Sequence, residues 1–324
     1  MRFSAEQAKD ANYACAAFTL VILLARVAGS RRRQRPIDLS FFLVVLSILV
    51  VVARIVIVYY YLLYGTGSDA LRDAEYFNTH NLDQIKKGSI LSLVARVLIT
   101  TSCWLQVCLL LLFYKGIMHG IQWVSWMIKL TWAATGASFV AVVLVTLLEC
   151  RPLRLYWQVE PDPGSCVKSY AQLLLQCAAN IVLDLMLLAI SYPILVHSKG
   201  RDWKQHLRVG TLFVFGTFCI IVTSLRLASI YDSSSAQPTR SLWASIQMLT
   251  ATFVANAPTI YGDLQTVKRK KSEAVARRTS LPEVWRDSEA GCPDLPLPER
   301  AATHSSIQSR KEWFDHLEDI DDVR

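Results

Sequence analysis

Between Leu39 and Leu63 the chain carries a single charged residue, Arg54. A stretch of that length matches the ~20 apolar residues a helix needs to cross the hydrocarbon core of a bilayer. A surface helix of a soluble domain keeps a polar face, and this stretch has none. Six further runs are of the same kind, at roughly 12–29, 89–114, 123–148, 170–196, 209–231 and 242–264. Hydrophobic residues make up 53% of the 324 and charged residues only 19%, below the ~25% of a typical soluble domain. Disorder and a disulfide-dense secreted scaffold are excluded, and a soluble enzyme is disfavoured. The expectation is an all-α, polytopic membrane protein, a bundle of seven transmembrane helices.

The outer runs carry the weakest signals. The last contains Gln247, Asn256 and Pro258, which a spanning helix tolerates where neighbours satisfy the freed backbone groups. The first has a second reading as a cleaved leader, because Arg2 and Lys9 precede the apolar Tyr13–Ala25. Arg26 interrupts that stretch, and Val27-Ala28-Gly29 makes a poor cleavage site.

Charge orients the helices. Residues 268–324 hold 11 Lys/Arg and 12 Asp/Glu, which leaves 23 and 14 in residues 1–267. Arg31, Arg32, Arg33 and Arg35 crowd one loop, and Lys199, Arg201, Lys204 and Arg208 another. Lys268-Arg269-Lys270-Lys271 open the tail. Seven alternating helices put all three on one side, and basic loops stay inside. The N-terminus is therefore expected outside and the C-terminus in the cytoplasm. The organisation reads as a short external segment (1–11), a membrane domain (12–267) and a cytoplasmic tail (268–324). Such charge indicates contact with membrane lipid and not with nucleic acid.

The tail reads as disordered, with Pro282, Pro293, Pro296, Pro298 and many charges. Its basic start at 268–278 attracts anionic lipid by about 1 kcal/mol per residue, or serves only as a topology anchor. Arg277-Arg278-Thr279-Ser280 fits a basophilic kinase site. Phosphate on Ser280 would weaken the lipid contact, although matches this short also arise by chance. Trp313 to Leu317 reads as solvated tail or as a short partner-binding helix.

Charges at bilayer depth are costly, so each is a functional candidate. Arg54, Arg96, Asp184 and Arg226 qualify, and Asn180, Gln247 and Asn256 join them as polar groups. At 1.5 Å of rise per residue, Asp184 falls near the midplane, and Asn180 one turn outward on the same face. Arg54, Arg96, Arg226 and Gln247 fall roughly 4–9 Å outward of the midplane. Two readings are open. In one, three guanidinium groups and one carboxylate line a cavity for an anionic or polar external ligand. In the other, Asp184 pairs with one arginine and the remaining arginines snorkel toward the interface.

Five of the eight cysteines, Cys15, Cys103, Cys108, Cys177 and Cys219, lie within apolar runs and suit packing. Cys292 belongs to the tail. Cys150 and Cys166 bracket one external loop, either as a disulfide on the oxidising side or as two unpaired thiols. No Cys-x-x-Cys pair or His/Cys spacing suggests a metal. A nucleophile elbow, a phosphate loop and an HExxH motif are all missing. The six histidines form no cluster, so no enzyme is expected. A retinal Schiff base needs a lysine inside the last helix, and residues 242–264 contain none. No cofactor is expected.

The stretch from Glu149 through Cys150, Arg151, Pro152 and Tyr156 to Trp157, followed by Gly164-Ser165-Cys166, resembles the fungal rhodopsin-like integral membrane proteins. That group includes plant-pathogen surface-sensing receptors. Tyr64-Gly65-Thr66-Gly67, Leu111 to Tyr114, Asn180 to Asp184 with Pro193, Ser224 to Leu227, Leu242-Trp243 and Ala257-Pro258 match in the same order. Departures are the lone Asp38, where an acidic pair usually opens the second helix, and Gln247, where a Glu usually stands. The resemblance covers about residues 12–267. It implies a receptor-like sensor, resident in the plasma membrane, that binds an unknown extracellular ligand and signals to a cytosolic effector. A transporter or channel using the arginine and aspartate belt, and a membrane scaffold presenting its tail, are the alternatives.

Overall fold

The computed structural model describes residues 5–32, 38–64, 82–117, 122–157, 169–197, 203–231 and 237–279. Seven helices occupy them: α1 Ala5–Arg32, α2 Leu39–Tyr64, α3 Leu82–Ile117, α4 Gln122–Leu148, α5 Tyr170–His197, α6 Trp203–Tyr231 and α7 Gln237–Thr279. A short 3-10 turn, Leu153–Tyr156, follows α4. Among the described residues there is no strand. The chain divides after Lys268, and all sites described below lie in the unit Met1–Lys268.

Five of the helices contain stretches long and apolar enough to span: Lys9–Arg31, Leu39–Tyr64, Asp83–Gly116, Gln122–Leu148 and Tyr170–Tyr192. The apolar part of α6, Phe213–Ala228, is shorter among the described residues, and α7 is more polar. Inside the bundle α6 and α7 contribute the buried polar residues Thr223, Arg226, Ser245, Gln247 and Asn256.

Successive helices pack on one another from α1 to α6, and α3 also touches α5. α3 is the central helix: 67% of its most apolar stretch is buried, against 22% of that of α4. Its core residues include Ile99, Cys103, Trp104 and Leu109 to Leu111. The peripheral helices show a lipid face. On α2, Phe42, Leu49, Val52, Val56, Tyr59, Tyr60 and Leu63 are exposed while Val44, Val51 and Val58 are buried. That spacing of three and four residues is one stripe of a 3.6-residue helix, turned toward acyl chains instead of water.

Buried hydroxyls are accommodated by the helices themselves. Thr131, Thr135, Thr146 and Ser191 each donate to the carbonyl four residues earlier, at 2.6–2.9 Å. α1 and α7 approach closely at Gly29, where an added Cβ would lie 2.9 Å from Asp263 Oδ2. Small residues at such crossings let membrane helices touch. Pro258 lies inside α7, which continues through it. Nearby, Asn256 donates to Gln106 Oε1 at 3.1 Å and to the Thr252 carbonyl at 2.7 Å.

Candidate functional site

One polar stripe of the interior lies on α5. Gln172, Gln176, Asn180 and Asp184 recur every four residues and so share a face. Each step descends about 6 Å. At the upper end Gln172 Nε2 donates to Gln176 Oε1 at 2.9 Å, and both side chains are fully buried. "Upper" here denotes the end of the bundle where α5 and α7 begin and α2, α4 and α6 end.

Two cavities open along this stripe. The upper one, of about 60 Å³, is lined by Arg54 from α2, Arg96 from α3, Arg226 from α6 and Arg240 from α7, together with Gln172 and Gln176. Arg54 and Arg226 are each only 3% exposed. Arg54 donates to Ser245 Oγ at 2.9 Å, and Ser245 donates in turn to Asn12 Oδ1. Arg226 donates to Gln247 Oε1, and Arg96 to Ser169 Oγ. Arg240 lies over the Tyr170 ring, 5.4 Å from its centroid. Among the described residues no Asp or Glu lines this cavity.

The lower cavity is half that size, about 30 Å³, and holds Asp184, Asn180, Gln247, Thr223 and Thr250 beside Cys103 and Cys219. Asp184 is half-buried. Among the described residues it makes no ion pair with an arginine. The two cavities are joined by the Arg226–Gln247 bond, since Arg226 lines the upper and Gln247 the lower.

The expected single belt is therefore corrected. The structure gathers Arg54, Arg96 and Arg226 but leaves Asp184 and Asn180 in a separate chamber. Depth is the reason: along α5, Asp184 lies about 12 Å beyond Gln176. The structural alternative fails on two points as well. Asp184 has no arginine partner among the described residues, and Arg226 turns inward to Gln247 instead of snorkelling. Arg240, Gln172, Gln176, Ser245 and Asn12 were missed by sequence reasoning. The period-four polar stripe on α5 was a legible signal for the glutamines. Arg240 carried none, because it stands before the last apolar run.

The stretch around Cys150 has an architectural part. Both oxygens of Glu149 accept backbone hydrogen bonds from the first turn of α5, from Ala171 at 2.9 Å and Gln172 at 3.2 Å. A carboxylate there satisfies amides that the helix leaves free and complements its dipole. Tyr156 is buried and donates to the Thr146 carbonyl at 2.5 Å, tying the 3-10 turn back onto α4. Burial pushes the Tyr156 hydroxyl above its ordinary range, although Arg96 pulls the other way. Ser169, at the start of α5, holds a left-handed φ of 51°. For a residue other than glycine that costs about 1 kcal/mol, and Arg96 donates to its hydroxyl. Arg151 and Pro152 are exposed, joined by a cis peptide bond, and Trp157 is half-buried. Cys150 is buried. Its expected partner Cys166 lies outside the described residues, as do Gly164, Ser280, Cys292 and Trp313 to Leu317.

Fold and interior together define an integral membrane protein of the α-helical, polytopic class with a polar core between its helices. More narrowly, the chain belongs to the fungal rhodopsin domain family, whose model matches residues 25–265. Satratoxin biosynthesis SC1 cluster protein 4 of Stachybotrys chartarum is 25% identical over 153 residues, which cover 44% of this chain and 54% of that protein. The match thus spans about half the length of that relative. No solved structure matches the chain.

Proposed function

We propose that this protein is a receptor-like sensor of the plasma membrane, which binds an external ligand in the upper cavity and signals to a cytosolic effector. One observation carries the reading: four arginines from four helices line a single cavity inside the bundle. Charged groups inside a membrane domain are expensive, and such clusters mark ligand or ion paths. The cavity lies at the end opposite the basic loops around 30–38 and 197–208. The bias of basic residues toward the cytoplasm therefore turns it outward. Helices α2, α3, α6 and α7 all contribute to it, so ligand contact bears on their relative positions. The basic loops at the other end are the natural surface for an effector.

The test is cue-dependent proximity labelling from the 30–38 and 197–208 loops in cells that carry the full chain. Recruitment of a cytosolic protein by an external cue, lost in Arg54→Gln, supports the sensor. An unchanged set of neighbours, with saturable solute flux in liposomes, sinks it in favour of transport. The transport alternative draws on the two stacked cavities and the Arg226–Gln247 bond between them.

A further inference from the structure

We infer that the upper cavity is an oxyanion site, built for a carboxylate or phosphate group held by the guanidinium groups of Arg54, Arg96 and Arg226. This deepens the sensor reading and rests on the same cavity. Three features lead to it. The first is charge. Arg54 and Arg226 are buried, and the bonds they make go to neutral oxygens, those of Ser245 and Gln247. Buried guanidinium groups call for a counter-charge, and among the described residues no carboxylate lines the cavity.

The second is an excess of donors. Arg54 Nε, Gln176 Nε2 and Ser241 Oγ are buried without a hydrogen-bond partner, and all three residues line the cavity. Orphaned donors on residues that line one space fit a group that only accepts, which describes an ionised carboxylate or phosphate. Gln172 Oε1, an acceptor without a partner at the same wall, fits a hydroxyl beside the anionic group. The third is size and shape. A cavity of about 60 Å³ holds roughly four to six waters by the usual measure, the bulk of one small anionic group. Arginine forks bind the oxygens of such groups in pairs, which an ammonium cannot do.

Two sources supply this chemistry: a water-soluble organic or inorganic anion, and the headgroup of an anionic lipid. The experiment uses the full chain purified into nanodiscs of phosphatidylcholine. Succinate, inorganic phosphate, tetramethylammonium and glycerol are titrated at constant ionic strength while thermal unfolding is followed. The expected result is a saturable rise in Tm with succinate or phosphate and none with the other two. Affinity should fall at least tenfold in Arg54→Gln and Arg226→Gln and hold in the exposed control Lys87→Gln. A second arm replaces the soluble anions with phosphatidylserine in the disc. Stabilisation confined to that arm, with a bound lipid seen by native mass spectrometry and lost in Arg54→Gln, assigns the site to a headgroup. Should a glutamine variant fail to fold, Arg54→Lys and Arg226→Lys take its place, with a smaller loss of affinity expected. Three results overturn the inference: no stabilisation from either source, an effect equal in every variant, or an equal response to tetramethylammonium. Anion binding without cue-dependent recruitment leaves the site standing and removes the sensor. Recruitment without anion binding does the reverse.

Discussion

The upper and lower cavities share a helix face and a connecting hydrogen bond, yet they differ in charge and in hydrogen bonding. The upper gathers four guanidinium groups with no carboxylate among the described residues. The lower holds one carboxylate, Asp184, with amides and hydroxyls. A bundle that needed only internal neutrality would have paired Asp184 with Arg54 or Arg226, because a buried ion pair recovers part of the desolvation cost of each charge. Setting Asp184 in the lower cavity leaves the upper one without a carboxylate among the described residues. The lesson is that the ionic composition of a membrane domain does not reveal its pairing.

The contrast can be broken most forcefully by reversing the lower charge. Asp184→Arg places a fifth guanidinium beside Gln247 and Arg226, and should destabilise by about 3 kcal/mol or more as an uncompensated buried charge. Thermal unfolding of the purified protein reads this, and a variant of wild-type stability would mean the lower cavity is well hydrated. Next in size is Arg54→Gln. Anion affinity should fall at least tenfold, about 1.4 kcal/mol. The ligand-free protein should be as stable as the parent or more so, since no carboxylate is left behind. Loss of ligand-free stability would instead make Arg54 a structural residue.

Glu149→Ala removes the acceptor for the amides of Ala171 and Gln172, and should cost about 1–2 kcal/mol. Because Gln172 lines the upper cavity, anion affinity should fall with stability, whereas an unchanged affinity would separate the wall from the site. Tyr156→Phe removes one hydrogen bond to the Thr146 carbonyl and should cost about 1 kcal/mol, read in the same melting experiment. The smallest effect belongs to Asp184→Asn. It should move stability by about 0.5 kcal/mol or less, in the range of substitutions that break no pair, and leave anion affinity intact. A large loss in either would join the two cavities after all.

Much of this was legible in the linear chain. The bounds of α2, Leu39–Tyr64, follow from its run of apolar residues and the single Arg54 within it. Arg54, Arg96 and Arg226 stand out because few other charges occur at such depth. The polar residues on α5 recur with a helical period that anyone can count. What could not be read was membership. Asp184 looked like the partner of an arginine, and Arg226 looked near enough to the interface to snorkel. Both judgements estimate depth from the centre of an apolar run. The offset between runs depends on how the helices slide past one another. Arg240 was invisible for the same reason, as it begins α7 in sequence and lines a cavity in space.

The sequence alone determined a chain of membrane-spanning helices, the presence of arginines at bilayer depth, and the end of the bundle where basic loops cluster. These depend on local composition and on periods within single helices, which fold on hydrogen bonds internal to each segment. Only the tertiary structure decided that three of the expected arginines and a fourth share one cavity, that Asp184 does not, and that Glu149 holds the first turn of α5. Those facts depend on the rotation and axial offset of one helix against the next. In a bilayer these are set by side-chain packing and polar contacts between helices, neither of which a single helix encodes.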